Sequence, residues 1–303
     1  MNEHMESPNR ALLEATRLGK RFGKYWAVRD VDLSVRSGRT IGIVGPNGAG
    51  KTTLLAALLG LIEPSAGELS LGGANSARPR FGAVLDQDGL INSVSGRRNL
   101  DQWAGMLGNV TSGEIDDCLD AVGMRAAAHR RVGTYSLGMR RRLCLARALL
   151  GEPEILVLDE PGNGLDPAGV IRLKELVAER ARAGTGVIFS SHSIADVDEM
   201  SDEVVYISEG QVVTRWAEDS PRWWKLRLAG EAVEPENSRH AASVALKEDD
   251  WAHWIDPHIG LIAAQSAPLH ELLALLSAAE LPLSNVVDLG RDIEQPFRGL
   301  DSW

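Results

Sequence analysis

The chain has 303 residues, a formal net charge of −10, 44% hydrophobic and 24% charged residues. That length calls for about two domains with a sizeable core, and the composition excludes disordered and fibrous classes. The acidic balance argues against a nucleic-acid partner, while two cysteines, Cys118 and Cys144, supply no disulfide framework and fit a reducing cytoplasm. The longest apolar run, residues 54–62, is shorter than the ~18 residues of a membrane span. The polar stretch 1–10 lacks the apolar segment of a signal peptide.

From residue 18 to about 220, short β-type runs alternate with helical stretches, which predicts an α/β fold around a mainly parallel sheet. Thr40-Ile41-Gly42-Ile43-Val44 reads as a buried strand running into a glycine-rich turn, behind which Leu54, Leu55, Leu58 and Leu59 form a helical stripe. From about 89 to 150 helical periodicity dominates, predicting a helical insertion. Ile155-Leu156-Val157-Leu158 reads as a central parallel strand buried on both faces. After Pro167, Val170, Leu173, Leu176 and Val177 recur at helical spacing until Gly184, and residues 186–190 form the next strand. Residues 204–207 and 211–214, joined by Ser208-Glu209-Gly210, read as a closing hairpin.

Past Ser220-Pro221 the composition changes: residues 221–303 hold thirteen acidic against seven basic side chains, and five of the eight tryptophans. The expected organisation is a polar N-terminal segment 1–17, a main domain 18–220 with a helical subdomain at about 89–150, and a small α+β appendage 221–303. A strand from Trp223 and an amphipathic helix over 269–276 are expected in the appendage. Its tryptophans are expected to fill a small core, and Glu248-Asp249-Asp250 reads as a solvated acidic loop.

Gly45-Pro46-Asn47-Gly48-Ala49-Gly50-Lys51-Thr52-Thr53 matches G-x-x-x-x-G-K-[ST] between a predicted strand and a predicted helix. Glycines let the backbone wrap closely around a phosphate, and N–H groups at a helix N-terminus point at it. Lys51 would neutralise the β- and γ-phosphates, and the Thr52 hydroxyl would ligate Mg²⁺. Asp159-Glu160 follows the apolar strand 155–158, where Asp159 can reach the metal and Glu160 can polarise a water. These residues establish a nucleoside-triphosphate site.

Together they resemble the ATP-binding subunit of an ABC transporter, over residues 18–220 and in the order of that family's motifs. The resemblance implies a P-loop NTPase core of the ABC-ATPase type, with ATP and Mg²⁺ as cofactors. It implies that Phe22, in Lys20-Arg21-Phe22-Gly23, stacks on adenine. Gln87, in Leu85-Asp86-Gln87-Asp88, matches the loop glutamine that touches Mg²⁺ or the attacking water. Ser136 and Gly138 stand at matching positions of the Leu-Ser-Gly-Gly-Gln signature, which clamps ATP held by the opposite subunit. Leu137 and Met139 replace a glycine and a glutamine there, a variant common in bacterial export subunits. Gly164-Leu165-Asp166-Pro167 resembles the loop that crosses the dimer interface, and His192 matches the switch histidine that senses the γ-phosphate. Arg97-Arg98 departs from the family's frequent Arg-Glu pair.

Residues 288–297 are similar in placement to the closing segment of antibiotic-export ATPases. The resemblance therefore implies an ATPase, peripheral at the cytoplasmic face of the cell membrane, that powers a separate integral-membrane permease. The implied cargo is an antibiotic, drug-like or peptide/lipid-type compound. A single phosphate loop requires a second ABC ATPase subunit, expected to be an identical copy, to complete each site. An importer ATPase with a regulatory tail and a soluble non-transport ABC ATPase stay open at this level.

Overall fold

The computed structural model describes residues 10–72, 78–85, 88–192, 197, 199–217, 222–228, 251–256, 259–264 and 283–290. Two compact units divide the chain between Arg215 and Trp216. The first opens with a hairpin, β1 (Ala11–Phe22) and β2 (Tyr25–Arg36), followed by the buried strand β3 (Thr40–Val44). Next come α1 (Lys51–Leu58), β4 (Ala66–Leu71) and the short β5 (Phe81–Val84). Three helices follow: α2 (Gly96–Leu107), α3 (Ser112–Ala121) and α4 (Leu137–Leu149). Then come β6 (Ile155–Leu158), α5 (Pro167–Arg182), β7 (Gly186–Ser191), β8 (Glu203–Ser208) and β9 (Gln211–Ala217), whose last two residues fall past the unit boundary.

Six strands form one sheet in the order β5-β6-β7-β3-β8-β9, parallel across β5/β6, β6/β7, β7/β3 and β3/β8. Strands β3 and β6 are buried along their whole length, as their unbroken apolar sequences require of central parallel strands. A separate antiparallel sheet, β2-β1-β4, lies over one side. Leu13, Leu18, Val31 and Val35 of that sheet pack with Ile43 of β3, Leu54, Leu55 and Leu58 of α1, and Ile155 and Ile188 in one hydrophobic core. Helix α1 is thereby pinned, and its N-terminus sits at the C-terminal end of β3, a crevice position typical of open α/β sheets.

The helices start where capping chemistry dictates: Ser95, Thr111, Ser136 and Asp166 each accept a backbone N–H of the first turn, and Pro167 occupies the first turn of α5. Asn99, almost fully buried in α2, bonds through its amide to Ile91 N, Ile91 O and Ser95 O, fixing the approach to that helix. Among the described residues no helix is long and apolar enough to cross a membrane.

The expected N-terminal segment 1–17 is corrected: β1 begins at Ala11 and buries Leu12, Leu13 and Ala15, so residues 11–17 are part of the folded unit. The antiparallel sheet as a whole adds to the sequence reading. In the second unit β10 (Arg222–Leu228), β11 (Trp251–Asp256), β12 (Ile259–Ala264) and β13 (Leu283–Gly290) make an antiparallel sheet in the order β11-β12-β10-β13. The expected helix over 269–276 and the acidic loop 248–250 lie outside the described residues.

Candidate nucleotide site

The loop 45–50 leaves β3 and enters α1 with its backbone in conformations that side chains resist. Gly50 has φ 104°, and a β-carbon there would lie 2.2 Å from the Ala27 carbonyl oxygen; one at Gly45 would lie 2.0 Å from the Ile207 oxygen. Gly50 also takes the N-cap position of α1 without a side-chain cap, which leaves first-turn N–H groups directed at whatever fills the loop. Lys51, 7% exposed, donates from Nζ to Gly45 O at 2.7 Å and Pro46 O at 3.2 Å, and lies 3.8 Å from Glu160 Oε1. A buried ammonium needs such partners, and a triphosphate would be a stronger one.

Glu160, Asp159 and Ser190 stand at adjoining strand ends. Asp159, nearly fully buried beyond β6, accepts from Thr52 Oγ1 at 2.7 Å through one oxygen and from Ser190 Oγ at 2.6 Å through the other. Ser190 Oγ in turn accepts the Glu160 N–H at 2.9 Å, so one hydroxyl of β7 orients both acids. The Glu160 carboxylate meets His192 Nδ1 at 2.9 Å, beyond the end of β7. Thr52 Oγ1 and Asp159 Oδ2 are hard oxygen donors converging from two elements, the donor type Mg²⁺ takes when phosphates and waters complete its shell. Among the described residues no group of three or more His, Cys, Asp or Glu side chains is placed to hold a metal ion by itself.

A cleft of about 440 Å³ runs over the loop and is lined by Asn47, Gly48, Ala49, Gly50, Lys51, Thr52, Thr53 and Glu160, with Phe22 and Tyr25 at one end. Phe22 is 53% and Tyr25 60% exposed, two rings flanking the turn of the β1–β2 hairpin. Lys20 Nζ lies 5.3 Å from the Phe22 centroid and donates to Glu63 O, backing that ring. A second cleft, of about 350 Å³, is shared by Thr52, Leu137, Arg141, Asp159, Glu160 and Asn163.

Residues 45–53, Asp159, Glu160 and His192 are thus gathered at the C-terminal ends of the central strands, with Phe22 beside the loop. Ser136 is the exposed N-cap of α4, its Oγ accepting Met139 N at 3.2 Å; Gly138 follows within the first turn, and a β-carbon there would lie 2.8 Å from Gly164 O. Gln87 lies outside the described residues. Sequence reasoning missed Ser190, Tyr25 and Arg141. Arg141 donates from Nη2 to the carbonyl oxygens of Asp159 and Glu160, and from Nη1 to Leu85 O at 3.3 Å. Polar residues at strand exits were the available signal for Ser190; a generic basic helix hid Arg141.

A phosphate loop in the middle of a parallel sheet, with paired acids on the next strand but one, defines a P-loop nucleoside-triphosphatase. The helices 96–149 and the serine-capped α4 narrow the class further. The family model for the ABC transporter matches residues 28–163. Over 208 residues, 66% of this chain and 68% of the relative, the sequence is 35% identical to the uncharacterized ABC transporter ATP-binding protein YdbJ of Bacillus subtilis. It is 36% identical over 209 residues to the bacitracin transport ATP-binding protein BcrA of Bacillus licheniformis, covering 67% of this chain and 68% of that one. The fold matches the dimeric structure of the bacterial ABC transporter cassette MJ0796 with TM-score 0.62 at 21% identity, over 68% of this chain and 98% of that one. The chain belongs to the ATP-binding proteins of ABC transporters, and it is an ATPase of that family.

Proposed function

We propose that this chain is the energy-supplying subunit of an exporter: it docks at the cytoplasmic face of the cell membrane onto a separate integral-membrane permease and hydrolyses ATP to drive it. An antibiotic-type cargo is supported by the bacitracin-transport relative. In this reading Phe22 stacks on adenine, and the loop N–H groups with Lys51 hold the phosphates. Thr52 and Asp159, with Gln87, would hold Mg²⁺, which would supply charge neutralisation on the β- and γ-phosphates. Glu160 takes a proton from the attacking water as the new P–O bond forms and the bond to the β,γ-bridging oxygen breaks, releasing ADP and phosphate. His192 holds the γ-phosphate and, through Nδ1, keeps the Glu160 carboxylate in line. Ser136 and Gly138 close on ATP bound by a second copy.

The observation that carries this reading is the Glu160 carboxylate, set 2.9 Å from His192 and 3.8 Å from Lys51 at the mouth of the loop. The test is phosphate release from Mg-ATP by the purified chain. Glu160→Gln is expected to keep ATP binding and lose turnover by about 10²–10⁴-fold, the worth of a positioned general base. Lys51→Ala is expected to lose both. A Glu160→Gln protein that turns over within about threefold of the native chain assigns the base elsewhere.

A further inference from the structure

The first two turns of α4 lie against the catalytic loop of the same chain at two places. Leu137 sits over Gly164, where a β-carbon would come 2.7 Å from Leu137 Cδ2. One turn on, Arg141 reaches the exit of β6, donating to the carbonyl oxygens of Asp159 and Glu160, and also to Leu85 O at the exit of β5. Its Nε is buried without a hydrogen-bond partner. The side chain is therefore held in place by its Nη contacts, against the cost of that orphaned donor. Glu160 itself has φ 47°, the left-handed region that non-glycine residues avoid unless their surroundings over-determine them. Two groups do so here: Ser190 Oγ holds the Glu160 N–H, and Arg141 holds its carbonyl. With both ends of the residue fixed, the carboxylate leaves the backbone toward Lys51 and His192.

We propose that Arg141 is a positioning residue for ATP hydrolysis: by gripping the backbone of Asp159 and Glu160 from the helix that carries Ser136, it sets the direction of the Glu160 carboxylate. The same guanidinium ties the exit of β5, which leads into the segment carrying Gln87, to the exit of β6. Asp88, beyond that segment, is gripped by α4 as well, through Arg140 at 2.6 Å and through Arg147 to its carbonyl at 2.5 Å. Helix α4 thus grips the chain at Leu85 and at Asp88 while it holds the catalytic backbone. Its Ser136 end faces outward, so a movement of α4 reaches Glu160 through Arg141.

The inference rests on the reading of Glu160 as the general base, and its test separates the two. In the full-length chain, Arg141→Met keeps the volume and removes every donor. The expected result is a kcat lower by about 10²-fold, the cost of a misplaced catalytic group, with ATP affinity within about threefold of native. In a Glu160→Gln background the same substitution should cost less than about threefold, because both changes act through one carboxylate. Arg141→Lys, which can still donate to the carbonyl pair, should recover most of the lost kcat. It also serves if the methionine variant fails to fold: a lysine variant with reduced kcat in the native background and none of that reduction beside Glu160→Gln supports the proposal. Unchanged kcat in Arg141→Met overturns it, as does an equal loss in both backgrounds or a loss of kcat that tracks ATP affinity. If Glu160→Gln alone leaves turnover intact, the reading of Glu160 fails rather than that of Arg141.

Discussion

At the scale of single residues, charge burial is balanced partner by partner. Lys51 keeps its ammonium inside the fold because two loop carbonyls and Glu160 surround it, and Asp159 spends both carboxylate oxygens on hydroxyl donors. The cysteines show the opposite case, a titratable group whose burial outweighs the charges near it. Burial pushes the Cys118 thiol up to about 11, and Cys144, 1% exposed beside the Asp88 carbonyl, is raised by the same cause. Both should stay inert to an aromatic disulfide reagent at pH 8 in the native protein, and two thiols should appear on unfolding in denaturant. Fast reaction of either in the native state would contradict that burial. A folded pKa above the unfolded one stabilises below the unfolded value and ceases to as pH rises through the folded one. The Cys118 contribution is therefore lost between about 9 and 11, and Cys118→Ala should flatten the fall of Tm over that window.

Among elements, α4 is the joint between the helical region and the sheet. Burial tends to raise the Asp88 carboxyl, but the Leu90 N–H and the Arg140 guanidinium outweigh it and hold it below the ordinary carboxylate value. A lowered folded pKa stabilises above the unfolded value, about 4, and is lost as pH falls through the folded value. Asp88→Asn should thus lower Tm at neutral pH and make the loss below about pH 4 shallower; parallel pH profiles for both proteins would remove Asp88 from the joint. Tighter still is the packing of α4 on β5, where a β-carbon at Gly82 would lie 1.9 Å from the Ala148 carbonyl oxygen. Gly82→Ala should be destabilised by roughly 1–3 kcal/mol or fail to fold, measured by urea unfolding.

Strands β3, β6 and β7 were legible because each is an apolar run with a turn signal at its end. Strands β1 and β2 were not, because their pairing shifts register between Ala15 and Leu18 and again around Lys20, with Arg17 at φ 49°. A further register shift between Ala11 and Leu13 goes with burial of the neighbours Leu12 and Leu13, and such irregularities break the alternation by which a strand is recognised. At the site, residues inside contiguous motifs could be read directly. Ser190 and Arg141 could not, since each acts on Asp159 and Glu160 only after the sheet and α4 have folded together.

At the scale of the molecule, the hydrophobic core around β3 and α1 and every described site residue fall within the first compact unit, which extends to Arg215. A chain ending at Ser220 should therefore fold cooperatively and bind ATP, checked by circular dichroism and by the ATP-induced rise in Tm. Insoluble or unfolded protein would show that the second unit completes the first. Two copies are needed because one chain carries Lys51 and Glu160 at the ends of the central strands and Ser136 on the helical region, with one phosphate loop. A γ-phosphate gives the N-terminus of α4 a charge to hold, so ATP and not ADP should join two copies. The decisive measurement is size-exclusion chromatography with light scattering on Glu160→Gln, at one protein concentration, with Mg-ADP or Mg-ATP. The expected result is a monomer with ADP, a dimer with ATP, and loss of that dimer when Ser136→Arg is added. A monomer under all conditions, together with native turnover that rises linearly with enzyme concentration to high dilution, would contradict it.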